Sequence, residues 1–239
     1  MAEANFEETS YNLTGDFFGS LYGSLLLQSF IKAMRLDHKL PEAISGMMGM
    51  SGRKYRYLIN NLIYVLPGAR YLEVGSWLGS TACSAIFGNI LRLTCVDNWS
   101  QFEGPKDTFL SNVKAVSNKN TVFSFIEGDF RSVDYKSIGS FNVYMFDGPH
   151  DENDQYDGIV IALPALDDMF ILVVDDWNLD RVRDGTRSAI KDSNINIECA
   201  IEIRTTQNNI QPTKNKFQDS EWHNGYYIAS CNKKAPRDI

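Results

Sequence analysis

The chain is short of the features that would tie it to nucleic acid, to a membrane or to an oxidising compartment. Basic residues are outnumbered, 23 Lys and Arg against 30 Asp and Glu, for a net charge of −7. A phosphate backbone needs a basic surface to bind it, so nucleic acid is not the expected partner. Close cysteine pairs are absent. Cys83, Cys95, Cys199 and Cys231 are scattered, and three of them fall inside predicted strands or helices. That pattern points to buried thiols in a reducing compartment and not to disulfides. No apolar run is long enough for a bilayer: the greasiest, Leu21–Ile31, is interrupted by Ser24, Gln28 and Ser29. The opening residues carry Glu3, Glu7 and Glu8 where a signal peptide would be basic. Repeats and low-complexity stretches are missing too. Together these absences predict a soluble, cytoplasmic protein with no membrane partner.

What is present suits an ordinary globular chain: 239 residues, 44% hydrophobic and 22% charged. Residues 1–15 are polar and predict no element. From Phe18, apolar residues recur at Leu21, Tyr22, Leu25, Leu26 and Phe30, which is helix spacing. A second helix has Ser51 as a possible cap and a stripe of Tyr55, Leu58, Ile59, Leu62, Ile63 and Leu66, ended by Pro67-Gly68. The Gly/Met-rich connector between them, Ser45–Gly52, reads as a mobile lid or, more simply, a loop. These two helices form an N-terminal extension over residues 1–66, and residues 67–239 form the main domain.

From Arg70 the pattern alternates. Strands are predicted at Arg70–Val74, Arg92–Val96, Val122–Glu127, Phe141–Phe146 and Met169–Val174. Helices are predicted at Ser80–Phe87, Pro105–Val116, Ser132–Ile138, Glu152–Leu166 and Val182–Lys191. Compact apolar strands of this kind are buried on both faces by crossover helices, giving a doubly wound, Rossmann-like α/β sheet. Asn196–Arg204 and Gly225–Cys231 follow as strands without a long helix between them. Their connector, Thr205–Asn224, is polar, so the pair closes one edge of the sheet.

Residues 70–81, Arg-Tyr-Leu-Glu-Val-Gly-Ser-Trp-Leu-Gly-Ser-Thr, carry the most information. An apolar run contains the acidic Glu73, Gly75 and Gly79 follow four apart, and a small-residue helix start comes next. Glycines let the backbone come close, and a helix N-terminus leaves N–H groups free. A nicotinamide-binding turn presents such groups to a pyrophosphate. A carboxylate inside the turn suits a cationic ligand without phosphates. In open α/β sheets ligands bind beyond the carboxyl ends of the strands. Here those ends carry Glu73, then Asp97-Asn98-Trp99, Glu127-Gly128-Asp129-Phe130, Asp147-Gly148-Pro149-His150 and Asp175-Asp176-Trp177. Any one acid could be a helix cap or a solvated turn residue; five ends in succession suggest a built edge.

The segment Leu72–Thr81, with Asp97 one strand later and Asp129 after the third, resembles the class I S-adenosylmethionine-dependent methyltransferases over residues 70–231. The resemblance implies a seven-stranded, mostly parallel sheet with an antiparallel last strand, and S-adenosylmethionine as cofactor. It implies that Glu73, Gly75, Ser76, Trp77, Gly79, Ser80 and Thr81 cradle the methionine portion. Asp97 would hold the ribose, Asn98, Trp99, Asp129 and Phe130 would border the adenine, and Asp147 would complete the contacts. The commoner family turn has a third glycine where this chain has Trp77.

Asp147, Asp175-Asp176, Trp177 and Gly185-Thr186-Arg187 further resemble the metal-dependent O-methyltransferases that act on catechols and on antibiotic sugars. This implies a magnesium ion held by Asp147, Asp175 and Asp176. Oxygen ligands suit such a hard cation, which lowers the pKa of an acceptor hydroxyl. Members of that branch have Pro-Gly-Gly before the fifth strand, and this chain has Asp167-Asp168. His150 is the candidate general base, its ordinary pKa lying near neutrality. Arg183 and Arg187 suit surface ion pairs, and Trp177 and Trp222 suit the core. His38 and His223 are isolated and receive no role. The expected function is O-methylation of a small-molecule or sugar hydroxyl, with a homo-oligomer conceivable through the N-terminal helices. A hydroxylase-like relative, an NAD-dependent enzyme or a non-catalytic S-adenosylmethionine-binding protein are the alternatives. Glu73 in the turn argues against NAD.

Overall fold

The computed structural model describes residues 9–211 and 220–233. The chain opens with strand β1 (Ser10–Gly15), then helices α1 (Leu21–Met34), α2 (Glu42–Ser45) and α3 (Arg53–Val65). Apolar runs then alternate with helices: β2 (Arg70–Val74), α4 (Ser80–Ile86), β3 (Leu91–Asp97), α5 (Lys106–Val116) and β4 (Thr121–Glu127). The alternation continues with β5 (Phe141–Phe146), α6 (Glu152–Val160), β6 (Leu166–Val174) and α7 (Asp180–Asp192), and ends on β7 (Asn196–Arg204) and β8 (Tyr226–Asn232).

The strands make one eight-stranded sheet in the order β1-β7-β8-β6-β5-β2-β3-β4. β2 through β6 pair in parallel, β8 runs antiparallel between β6 and β7, and β1 pairs antiparallel with β7. Strands buried on both faces need cover on both sides, and two cores supply it. On one face α1, α3 and α4 pack Leu26, Tyr55, Leu58 and Ile86 against Tyr71, Leu93, Met145 and Ile171. On the other, α6 and α7 place Ile159, Val182 and Ala189 against Leu72, Tyr144, Phe170 and Leu172. The four cysteines are buried and free. Among the described residues no helix is long and apolar enough to cross a membrane.

Several local features differ from the sequence reading. Residues 10–15 form an eighth strand at the sheet edge. Tyr11 supplies the reason: its hydroxyl accepts a bond from Trp222 Nε1 at 3.0 Å, and its ring packs on Phe30 and Trp222. Gly52, not Ser51, occupies the N-cap of α3 and makes no side-chain cap bond. The helix expected over 132–138 is only a 3-10 turn at Phe130–Ser132. α6 stops at Val160, and a second 3-10 turn at Leu163–Ala165 takes over because Pro164 cannot continue the ladder. Of the 205–224 connector, residues 205–211 and 220–224 are loop, and the rest lies outside the described residues.

The chain passes from β2 outward through β3 and β4, then returns to β5 on the other side of β2. The switch point therefore falls between the ends of β2 and β5, where a crevice forms in open α/β sheets. Ladder bonds fix the loops there at one level: Gly75 N donates to Val96 O at 2.9 Å, Asp147 N to Val74 O at 2.9 Å and Gly128 N to Asp97 O at 3.0 Å.

Leu26 on α1 is fully buried between the N-terminal helices and the sheet. Leu26→Ala is expected to cost about 2–5 kcal/mol in urea unfolding; an unchanged midpoint would show that α1 is not part of the core.

Candidate active site

A cavity of about 240 Å³ opens at this switch point. Gly75, Ser76, Trp77, Ser80 and Thr81 form one wall, and Asp97, Asn98, Trp99 and Phe130 form a second. Asp147, His150, Asp175 and Asp176 form the far end. Gly75 and the residues of the second wall and far end were anticipated from strand ends, and Ser76, Trp77, Ser80 and Thr81 from the family resemblance. The physical reason is that parallel strands of one sheet deliver their carboxyl ends to a single edge.

The turn after β2 is held by Asp97. Its Oδ2 accepts from Ser76 N at 2.8 Å and Trp77 N at 3.1 Å, and its Oδ1 accepts from Trp99 N at 2.8 Å. A carboxylate oxygen offers about two lone-pair sites. One site therefore remains on Oδ1, room for one ligand hydroxyl. Gly75 is left-handed (φ 84°), and a Cβ there would overlap the Asp147 carbonyl oxygen. Its role is the close approach of two strand ends. Trp77 is also left-handed (φ 42°), the conformation for which the commoner turn uses glycine.

Three of the expected residues do not line the cavity. Glu73 is fully buried beneath the turn and does not line the cavity; its carboxylate accepts from Tyr71 OH and Ser76 Oγ, each at 2.8 Å. It braces the turn from below. Successive side chains along a strand point to opposite faces, and position 73 points into the α3/α4 core. Gly79 caps α4 behind the wall. Asp129 is exposed, where its side chain accepts from Arg131 N at 2.8 Å and caps the 3-10 turn. Only Phe130 turns inward.

The far end is a charged cluster. His150 Nε2 lies 2.6 Å from Asp176 Oδ2 and 4.0 Å from Asp147 Oδ1. The 2.6 Å contact makes Asp176 the main partner of this nitrogen. Burial would lower the His150 pKa, but the two carboxylates outweigh it and raise it to about 10. His150 is thus an imidazolium at neutral pH in this arrangement. Asp147 is raised to about 6, first by burial and then by the charge of Asp176, with His150 offsetting both in part. Burial and the neighbouring carboxylates push Asp175 well above the usual range, so it stays protonated and shares its proton with Asp147. Asp176 is held low despite burial, because His150 and the amides of Gln211 and Asn224 bond to it; Asn224 Nδ2 donates to Oδ1 at 2.7 Å.

The donor set fits a divalent cation. Ligand atoms of Asp147, His150 and Asp176 lie within 4.8 Å of one another, and His150 would release its proton on ligating a cation there. The set differs from the expected one: His150 stands where Asp175 was foreseen, since Asp175 Oδ1 already accepts from Asp176 N at 2.8 Å.

Met50, Gln211, His223 and Asn224 also line the cavity and were not foreseen. His223 and Asn224 precede β8. An antiparallel strand begins at the edge where its parallel neighbours end, and that topological signal could have found them. Met50 lies in the Gly/Met-rich connector Ser45–Gly52, which the sequence left between a lid and a loop.

Residues 72–177 match the family described as a methyltransferase domain. Among solved structures, TrmN from Thermus thermophilus is 14% identical, with a TM-score of 0.51 over 75% of this chain and 49% of its own. The chain thus spans about half the length of that protein. A putative RNA methyltransferase, PH1948 from Pyrococcus horikoshii, is 14% identical, with a TM-score of 0.51 over 90% of this chain and 99% of its own. The O-methyltransferase TomG from Streptomyces achromogenes, involved in tomaymycin synthesis and solved with S-adenosylmethionine, is 14% identical, with a TM-score of 0.50 over 87% and 89%. At such identity the likeness establishes the fold alone. No curated protein matches the chain significantly.

Burial raises the Glu73 carboxyl to about 7, while the hydroxyls of Tyr71 and Ser76 pull it partly back. The folded chain therefore keeps a proton that the unfolded chain releases near the ordinary carboxylate pKa. The stability this confers is complete below that pKa and is lost as pH rises through about 7. Between pH 4.5 and 8 the wild type is expected to lose on the order of 3 kcal/mol relative to Glu73→Gln. Melting curves of the two that stay parallel with pH would contradict this.

Proposed function

We propose that this chain, whose residues 72–177 match the family described as a methyltransferase domain, moves a methyl group from S-adenosylmethionine to a hydroxyl of a small molecule. One observation carries the choice of donor: the turn N–H groups of Ser76 and Trp77 are capped by the Asp97 carboxylate. A pyrophosphate needs those donors free and would meet a negative charge instead. A sulfonium nucleoside carries no phosphate and is attracted by that charge. In this reading the ribose bonds to Asp97, the adenine lies against Trp99 and Phe130, and the methionine portion runs along Gly75–Thr81. The sulfonium then faces Asp147.

Methyl transfer is an in-line displacement, and the protein's part is to align donor and acceptor and receive one proton. The S–CH₃ bond breaks as the O–CH₃ bond forms, sulfur keeps the electron pair, and S-adenosylhomocysteine leaves. The acceptor hydroxyl approaches between Asp147 and His150, with Gln211, His223 and Asn224 around it. Its proton passes to the Asp147–His150–Asp176 group. With His150 already an imidazolium, the carboxylate of Asp147 is the member free to take it, a change from the base expected at His150. With His150 deprotonated, a divalent cation held by Asp147, His150 and Asp176 would instead supply Lewis acidity to the hydroxyl.

The net charge of −7 and the acid-lined cavity favour a small acceptor over a nucleic acid, although one structural neighbour is titled a putative RNA methyltransferase.

Calorimetric titration is expected to show binding of S-adenosylhomocysteine, none of NAD, and loss of the former in Asp97→Ala; NAD binding would overturn the reading. Once an acceptor is found, Asp147→Asn is expected to lower the rate about 10²–10⁴-fold, and His150→Gln to lower it less, by removing the cation beside Asp147 and Asp176. A rate unchanged by His150→Gln would remove the histidine from the mechanism.

A further inference from the structure

The Gly/Met-rich connector 45–52 is wound around one side chain. Arg56, in the first turn of α3, is fully buried, and among the described residues no carboxylate pairs with it. Its Nη1 donates to Ser45 O at 3.1 Å and Met47 O at 2.7 Å, its Nη2 to Gly49 O at 3.3 Å and its Nε to Ser51 Oγ at 3.0 Å. Burial lowers the Arg56 pKa to about 10, which leaves it a cation at neutral pH. A buried charge without a counter-ion is costly unless hydrogen bonds and a nearby anion offset it.

The connector is pinned on both sides. A Cβ on Gly49 would overlap the Ser80 side chain, and one on Gly52 would overlap the Glu221 backbone. Arg53 N and Lys54 N donate to Ser220 O and Glu221 O, each at 2.9 Å. From Arg56 a line of polar groups leads to the cavity. Ser51 Oγ, which accepts from Arg56, lies 2.8 Å from Ser80 Oγ, and Ser80 is a wall residue of the cavity. With its oxygen facing a cation, the Ser51 hydroxyl is best oriented to donate to Ser80. The Ser80 hydroxyl is then left to donate into the cavity. Such chains polarise each successive O–H, so the last is a stronger donor than an isolated serine.

We propose that Arg56, Ser51 and Ser80 form a relay that recognises an anionic group, the carboxylate of the amino-acid portion of the cofactor. Arg56 is a positioning residue and Ser80 the group that touches the ligand. The proposal rests on the cofactor reading above. It gives the N-terminal segment a part in the site: the connector before α3 is a wall of the cavity and carries its buried cation.

The test compares two ligands by calorimetry. S-adenosylhomocysteine has the amino-acid carboxylate, and 5′-methylthioadenosine lacks it. Ser51→Ala keeps the Arg56 bonds to the three carbonyls and cuts the relay. Ser80→Ala, which loses the bond to the carboxylate, is expected to weaken S-adenosylhomocysteine about tenfold and to spare methylthioadenosine; Ser51→Ala, which keeps that bond but removes its polarisation, is expected to weaken S-adenosylhomocysteine about twofold, to spare methylthioadenosine, and to lower the melting temperature because Arg56 Nε loses its partner. Arg56→Met is expected to do the same; where it fails to fold, Ser51→Ala decides. Equal loss of both ligands, or loss of neither, overturns the relay. A wild type that binds neither ligand sinks the cofactor reading itself, and the relay with it.

Discussion

The carboxylate of Asp97 accepts three backbone N–H groups from two different loops, and the shape of the cavity depends on that grip. Two bonds hold the turn after β2, the third holds the turn after β3, and the space between these turns is where a ligand fits. Bonds from N–H to an ionised acceptor are about twice as strong as neutral ones. They allow Trp77 and Trp99 to remain left-handed, at φ of 42° and 54°, without glycine. The same bonds decide the ligand class, because they use the donors that a pyrophosphate would require.

Several acids gather in and beneath the site, and each is managed differently. Glu73 is buried under the turn with two hydroxyl donors and a raised pKa. Asp175 is neutral and shares its proton with Asp147. Asp176 is kept ionised by His150 and two amides. Removing one partner from such a cluster leaves a buried group unpaired, which costs more than the pair itself contributes. The cluster therefore behaves as a unit toward protons, and one histidine or one carboxylate is not separable from the rest.

Much of this was legible in the sequence, and the limits have physical causes. The strands from Arg70 to Val174 could be read because strands buried on both faces leave unbroken apolar runs. Their ends pointed to Gly75, Asp97, Asp147 and Asp176 because parallel strands finish at one edge. β1 could not be read: its residues are mostly exposed, and its ladder with β7 and the contacts of Tyr11 with Trp222 and Phe30 fix it. Side-chain direction was the second limit. Glu73 and Asp129 sit at the right places in the chain, yet strand alternation turns one into the core and a capping bond turns the other toward solvent. Residues that enter the site from outside the parallel core, Met50 and His223 among them, carried no periodic signal at all.

The central claim is that the space between the Asp97-bound turns holds a sulfonium nucleoside, with the Asp147–His150–Asp176 edge at its reactive end. A crystal structure of the chain with S-adenosylhomocysteine tests it most directly. The account predicts a ribose hydroxyl on Asp97 Oδ1, the base against Trp99 and Phe130, and the sulfur facing Asp147. Homocysteine-nucleoside density anywhere else, or a ribose that leaves Asp97 untouched, would contradict it.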